Sequence, residues 1–332
     1  MQVLLTLTTP KFIILFLLLI SVCISTSAQQ NEQKTPEKSG IETQEKSTPN
    51  ADTTEKDSTE SEKTEKPKVI PTPPAVPLIQ QYKNDLKHYL PAHNVKPLLA
   101  GPDDYITLIK ENSSAHNKGV AILLPDWQQG ATNPKAINFL RKNLPLYGWT
   151  TISIQPTSKP ESYPSNAIEV DEQKKENKTI LDNYKTKFAA MVNAVLSEAN
   201  EYPGIIMIIA QGNHGAMIVD LLNQEDAQPS ITQAPNALIL LSSYLLTNEM
   251  LIDEANTNFA KKLAASEYPV LDLYLKKDNH IVLYKMGQRL ALSTQEMKAY
   301  YRQSQLNNSD MGYYPEKELL TQVNGWLRSI GW

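Results

Sequence analysis

The sequence predicts an α/β domain with a mostly parallel sheet and helices on both of its faces. Three observations lead there. Short unbroken apolar runs, such as Gly119–Leu124 and residues 205–210, have the composition of strands buried on both sides. Between those runs lie segments whose apolar residues recur at three- and four-residue spacing, the mark of helices with one buried stripe. Runs and helical segments alternate along the chain, which places a parallel sheet between two helical layers. No internal repeat interrupts the alternation.

The elements follow in order. Leu78, Ile79, Tyr82, Leu86 and Tyr89 predict a helix over 78–90, and residues 105–110 read as a strand. After Gly119–Leu124, Asn133 and Pro134 open a helix containing Ile137, Leu140, Arg141 and Leu144, which Pro145 and Gly148 end. A strand is expected at 149–154, then a long polar loop over 155–178. Leu181, Tyr184, Phe188, Met191 and Val195 predict a helix over 179–200. Strands at 205–210, Ala237–Leu241, 268–275 and 299–306 alternate with helices from His214, over 281–292 and over 316–330.

The N-terminal part differs in kind. Residues 12–24 form an apolar run after Lys11, shorter than the ~20 residues that span a bilayer. Thr26-Ser27-Ala28 supplies small residues at its end, so 1–28 reads as a cleaved signal peptide. An uncleaved anchor stays open, as does a lipid-modified Cys23 preceded by Ile20-Ser21-Val22. Residues 29–75 are Gln, Glu, Lys, Ser, Thr and Pro without an aromatic, too little apolar area to offset the entropy of ordering; they predict a disordered polar linker. Residues 76–332 then suffice for one large core. The expected destination is the periplasm, with membrane attachment through the N-terminus or secretion as alternatives. No transmembrane helix is expected in the mature chain.

Bulk properties exclude several classes. A net charge of -4 builds no basic face for phosphate backbones, so nucleic acid is not an expected partner. The one cysteine, Cys23, lies in the apolar run, leaving 76–332 without disulfide, Cys-ligated zinc or thiolate nucleophile. The five histidines are scattered, with no metal-ligand spacing, and no glycine-rich phosphate loop follows a strand, so neither metal nor cofactor is expected.

Sites in parallel sheets gather at the C-terminal ends of strands. Four places qualify. The turn Ala210-Gln211-Gly212-Asn213-His214-Gly215-Ala216 joins a buried strand directly to a helix. The exit Leu124-Pro125-Asp126-Trp127-Gln128-Gln129-Gly130 brings Asp126 and Trp127 to the same edge, either as a pocket rim with Gln211 and Gly212 or simply as a cover. Asp278, Asn279 and His280 follow the late strand, where Asp278 and Asn279 also fit as turn and cap residues. The segment Asn307-Asn308-Ser309-Asp310-Met311-Gly312-Tyr313 closes the edge and holds no histidine.

The exit 123–127, Pro145-Leu146-Tyr147-Gly148-Trp149-Thr150-Thr151, the glycine turn 211–216, Asp272-Leu273-Tyr274 and Asn324-Gly325-Trp326-Leu327 carry a resemblance. Over roughly 80–330 the chain is similar to a bacterial family of uncharacterised exported proteins of the α/β-hydrolase superfamily. The resemblance implies the fold more than an activity, because that family tends to lack a serine at the strand-to-helix turn. Active α/β-hydrolases carry a nucleophile there in the pattern G-x-S-x-G, with an oxyanion hole beside the first exit, an acid after the late strand and a base histidine after the last. Depending on alignment, Asn213 or Gly212 stands at the nucleophile position, and neither offers a hydroxyl. A carboxylate at Asp126 opposes an oxyanion unless it points away. Two functions follow as expectations: a binding or scaffolding domain that takes a small-molecule or cell-envelope ligand, or an esterase-like hydrolase with a displaced triad. The second would use His214 or His280 as base, Asp278 as orienting acid, and Ser242, Ser243 or a water as nucleophile. A third, a surface interaction module, would act through the linker and the polar loop near 155–178.

Overall fold

The computed structural model describes residues 74–224, 230–248 and 250–332. The expected signal peptide, 1–28, and the expected linker, 29–75 except its last two residues, lie outside them.

Helix α1 (Leu78–Tyr89) is followed by an antiparallel pair, β1 (Val95–Ala100) and β2 (Asp103–Lys110). Then come β3 (Gly119–Leu124), α2 (Ile137–Asn143), β4 (Trp149–Gln155), α3 (Val170–Ala199), β5 (Ile205–Gln211), α4 (Gly212–Leu222) and β6 (Ala237–Leu241). The chain continues through α5 (Ala255–Ala265), β7 (Val270–Leu275), α6 (His280–Gln295), β8 (Tyr301–Leu306) and α7 (Glu316–Ser329). The eight strands lie in the order β1-β2-β4-β3-β5-β6-β7-β8. From β4 to β8 all neighbours are parallel, while β2 is antiparallel to both β1 and β4.

The two-residue period of the strands divides the core in two. Val120, Ile122 and Leu124 of β3, with Ile206, Ile208 and Ala210 of β5, pack against Phe188, Val195 and Met217 of α3 and α4. Ala121 and Leu123, with Met207 and Ile209, pack against Leu140 of α2 and Val323 and Trp326 of α7. Each apolar run is therefore filled on both faces.

Three elements depart from the sequence expectations. The segment 155–178 is not all loop, because α3 begins at Val170. After Val170 its first two turns are polar and show no apolar stripe; Asp171 and Glu172 suit the positive N-terminal end of the helix, and Asn177 is buried, its Oδ1 accepting the Ser165 N–H at 2.7 Å. Strand β1 contains Pro97, which weakens a strand reading but is tolerated at a sheet edge. Helix α5 follows a Glu254 held at φ +48, with no capping side chain to announce it.

Register brings the strand exits together. Leu124 pairs with Ala210, Gln211 with Leu241, and Leu241 with Leu273, so the residues following β3, β5, β6 and β7 share one edge. A buried charge network ties that edge to the helical layer. Arg289 of α6 donates to Asp272 of β7 at 2.8 Å and to the Ser243 carbonyl at 3.1 Å. Tyr301 and Gln303 also donate to Asp272, at 3.1 and 3.0 Å. Both charged side chains are essentially inaccessible to water. Replacing Arg289 by Met should therefore cost about 3–5 kcal/mol in urea unfolding, because an unpaired carboxylate is left in the core. Adding Asp272→Leu should recover part of that loss.

Candidate functional site

β5 passes into α4 through one residue in the left-handed region, Gly212, at φ +57. This fixes the alignment that the sequence left open: Gly212, not Asn213, is the turn residue. Asn213 is the first residue beyond it, and its backbone N–H points to the strand edge. Asp126, leaving the adjacent β3, reaches into the same space. A Cβ on Gly212 would lie 2.5 Å from the Asp126 carboxyl carbon. No side chain fits there while Asp126 keeps its place.

The Asp126 carboxylate is held by amide donors. One oxygen accepts the backbone N–H of Trp127 at 2.9 Å, the backbone N–H of Asn213 at 2.9 Å and the Asn213 side-chain amide at 3.1 Å. These two backbone donors, one following the turn residue and one from the loop after β3, are those that form an oxyanion hole in this architecture. Here they already hold a charged oxygen. Burial is the largest influence on Asp126 and pushes its pKa up to about 6, against the lowering effects of the Asn213 and Trp127 hydrogen bonds and the charge of Lys135.

In front of this pair lies a cavity of about 300 Å³ whose lining includes Asp126, Lys135, Gly212, Ser242, Asp278 and Tyr314. Asp278, in the turn after β7, accepts the Ser242 hydroxyl at 2.5 Å and the N–H groups of Leu275 and Asn279 at 2.8 and 2.7 Å. Ser242 follows β6 at φ +48, and its Oγ is also 2.5 Å from the Tyr314 hydroxyl. Because the Ser242 hydroxyl donates its one proton to Asp278, Tyr314 is the donor to Ser242. Burial holds the Tyr314 phenol well above its ordinary pKa, so it stays protonated and is no base near neutral pH.

The remaining residues singled out from the sequence divide between this cleft and other places. Gln211 is buried and accepts the Asn133 side-chain amide at 3.0 Å. Asn213 also accepts the Leu246 N–H at 2.6 Å, tying the loop after β6 to the turn. The Trp127 ring points away from the cleft, 5.8 Å from Tyr163 and from Tyr184 by ring centroids. His214 is fully buried on the far side of the turn, stacked on Phe188 at 4.4 Å, with Nδ1 2.5 Å from the Pro125 carbonyl and Nε2 2.7 Å from the Tyr184 hydroxyl. Because a carbonyl only accepts, Nδ1 carries the proton, and burial pushes the imidazole pKa down to about 4. His280 is exposed at the start of α6 and lines a different depression, with Met250 and Tyr284. Ser243 is buried under Gly215, where an added Cβ would lie 1.9 Å from its Oγ. The structure thus brings Asp126, Gly212, Ser242 and Asp278 together and leaves both histidines outside. Lys135 and Tyr314 were not foreseen, since each is an isolated residue in a loop with no motif around it. Among the described residues no group of three or more His, Cys, Asp or Glu is placed to hold a metal ion, and no helix is long and apolar enough to cross a membrane.

The architecture is shared with solved esterases. Esterase 2 of Thermogutta terrifontis, phosphoramylated by tabun, superposes with a TM-score of 0.51 at 12% identity, over 73% of this chain and 97% of that one. The propionate-bound form of that esterase gives 0.50 at 12% identity, over 71% and 94%. An alpha-beta serine hydrolase homologue from Coxiella burnetii aligns over 73% of this chain and 100% of that one at 10% identity, with a TM-score of 0.47. The likeness at this identity is one of fold: the chain has the fold of the α/β-hydrolase superfamily. The chain belongs to a family described as a protein of unknown function (DUF3530), whose model matches residues 12–329. No curated protein matches the chain.

Two measurements test the geometry. An acid whose folded pKa is raised contributes stability below its unfolded value and loses it as pH rises through the folded one. Between pH 4 and about 6 the ionisation of Asp126 should cost the protein about 3 kcal/mol. Asp126→Asn should thus unfold at higher urea than wild type at pH 7.5, and the difference should vanish near pH 4; His214, common to both proteins, cancels. Separately, Gly212→Ala should cost more than about 2 kcal/mol, from left-handed backbone strain plus collision. Asp126→Gly should relieve more than about 1 kcal/mol of that cost in a double-mutant cycle.

Proposed function

We propose that this protein is an exported, non-hydrolytic domain that kept the α/β-hydrolase fold and serves to bind a ligand or hold a partner in the cell envelope. The observation that carries this reading is the Asp126 carboxylate on the two backbone N–H groups of Trp127 and Asn213. Catalysis by an oxyanion hole depends on donors kept free for charge that develops in the transition state. Donors that already hold a carboxylate cannot serve a second anion, and the carboxylate repels it. The absent Cβ at Gly212 supports the same reading, since the turn that would present a nucleophile presents none. Export rests on the N-terminal sequence, the apolar run ending in Thr26-Ser27-Ala28.

A second reading, hydrolysis through Ser242, draws on the 2.5 Å bond from its hydroxyl to Asp278. It lacks an imidazole base between serine and carboxylate: Tyr314 is held protonated, and the hydrogen bonds of His214 run to Pro125 and Tyr184.

Incubation of the purified protein with a fluorophosphonate probe, and with p-nitrophenyl esters of short and medium acyl chains, separates the two. The expected result is no covalent labelling and no turnover above buffer from folded protein. Labelling located at Ser242 by mass spectrometry, lost in Ser242→Ala, would overturn the non-hydrolytic reading. Fractionation of cells making the full chain should recover a periplasmic form beginning at Gln29. Recovery only in the cytoplasm would refute export.

A further inference from the structure

We infer that a groove between α3, α4 and α5, away from the cleft described above, binds a single-chain anionic amphiphile of the long-chain fatty carboxylate type. This goes beyond the proposed function and does not depend on whether the cleft is catalytic.

The groove encloses about 810 Å³, within the roughly 300–1,000 Å³ usual for small-molecule sites. Its floor is apolar: Leu181 from α3, Met217 from α4, Phe259 from α5, and Leu245 and Ile252 from the segment between β6 and α5. Its two banks are cationic. Lys174, Lys175, Lys178 and Lys185 line it from α3, and Lys261 and Lys262 from α5. On α3, Lys174, Lys178, Leu181 and Lys185 recur at three- and four-residue steps, which puts the lysines and the apolar floor on one helix face.

Six lysines face three aspartates in the lining, and the pairing shows which charges are spent. Asp220 of α4 bridges Lys185, at 2.6 Å, and Lys262, fastening the two banks. The lysines beside it outweigh its burial and hold its carboxyl below the usual range. Lys174 pairs with Asp253 and Lys178 with Asp182, each at 2.7 Å. Among the described residues Lys175 makes no ion pair, and Lys261 reaches only Glu254, at 3.5 Å. Both are exposed. An unpaired ammonium, Lys175, on one bank and one held only by an exposed 3.5 Å contact, Lys261, on the other therefore flank an apolar trough.

That arrangement selects its ligand. A small inorganic anion would leave the floor wet, and a neutral chain would leave the rim charge unanswered. An alkyl chain on the floor, with its carboxylate reaching the rim, satisfies both, and the lysine stems cover the chain sides. The surface is concave, so it encloses one chain rather than lying flat on a bilayer.

The test is calorimetric titration of the full chain with sodium laurate below its micellar concentration. Saturable one-to-one binding is expected. Lys175→Glu combined with Lys261→Glu should weaken it at least ~10-fold, and Asn258→Trp, which fills the groove from an exposed position on α5, should do the same. Dodecyl maltoside, with the same chain and a neutral head, should bind at least ~10-fold more weakly than laurate. Circular dichroism melts checking that the variants fold as wild type keep the comparison valid. Absence of saturation, equal laurate affinity in wild type and both variants, or binding only to phosphatidylglycerol vesicles would overturn the inference. Fluorophosphonate labelling of Ser242 would overturn the non-hydrolytic reading alone and leave laurate binding untouched.

Discussion

A carboxylate fixed by two backbone N–H groups at the mouth of a strand-to-helix turn sets the character of this molecule. Asp126 occupies the space next to Gly212, and each requires the other. Without a Cβ, Gly212 takes the left-handed conformation cheaply and leaves room for the carboxyl group. With the carboxyl group present, the N–H groups of Trp127 and Asn213, buried and aimed at one point, are satisfied. The charge is tolerated because hydrogen bonds and Lys135 partly offset its burial, and its pKa near 6 measures what they leave uncompensated.

The other side of the cleft is fixed by a second set of buried polar contacts. Arg289 joins Asp272 of β7 to the Ser243 carbonyl and so holds the chain as it leaves β6. Ser242, next to it, is kept at positive φ between Asp278 and Tyr314. The cleft is thus bounded by groups whose hydrogen bonds are largely used within the protein. The groove on the helical layer differs: it keeps exposed lysines over an uncovered apolar floor.

Strand-end chemistry in this fold depends on small differences of position. Asn213 and Gly212 are neighbours in sequence, yet one contributes an amide donor to the carboxylate and the other only an empty space. His214, one residue further, turns to the opposite side of the helix and is lost in the core against Phe188. A rotation of about 100° per helical residue is enough to send adjacent side chains to different environments.

Much of the architecture was legible in the sequence alone. Apolar runs such as Gly119–Leu124 have the length and composition of strands covered on both faces, and the stripe from Leu181 to Val195 has the period of a helix with one buried side, because composition and periodicity are local properties of the chain. Elements without a local pattern stayed hidden: the polar start of α3, the proline-bearing edge strand β1 and the uncapped α5. At the site, the sequence supplied the strand exits and the lack of a hydroxyl at the glycine turn. The tertiary structure decided which residue occupies the turn, that Asp126 points inward, and that Lys135 and Tyr314 line the same cleft from other loops. It also left both histidines outside. Those facts depend on register across parallel strands and on side-chain direction, and neither is encoded within any single segment.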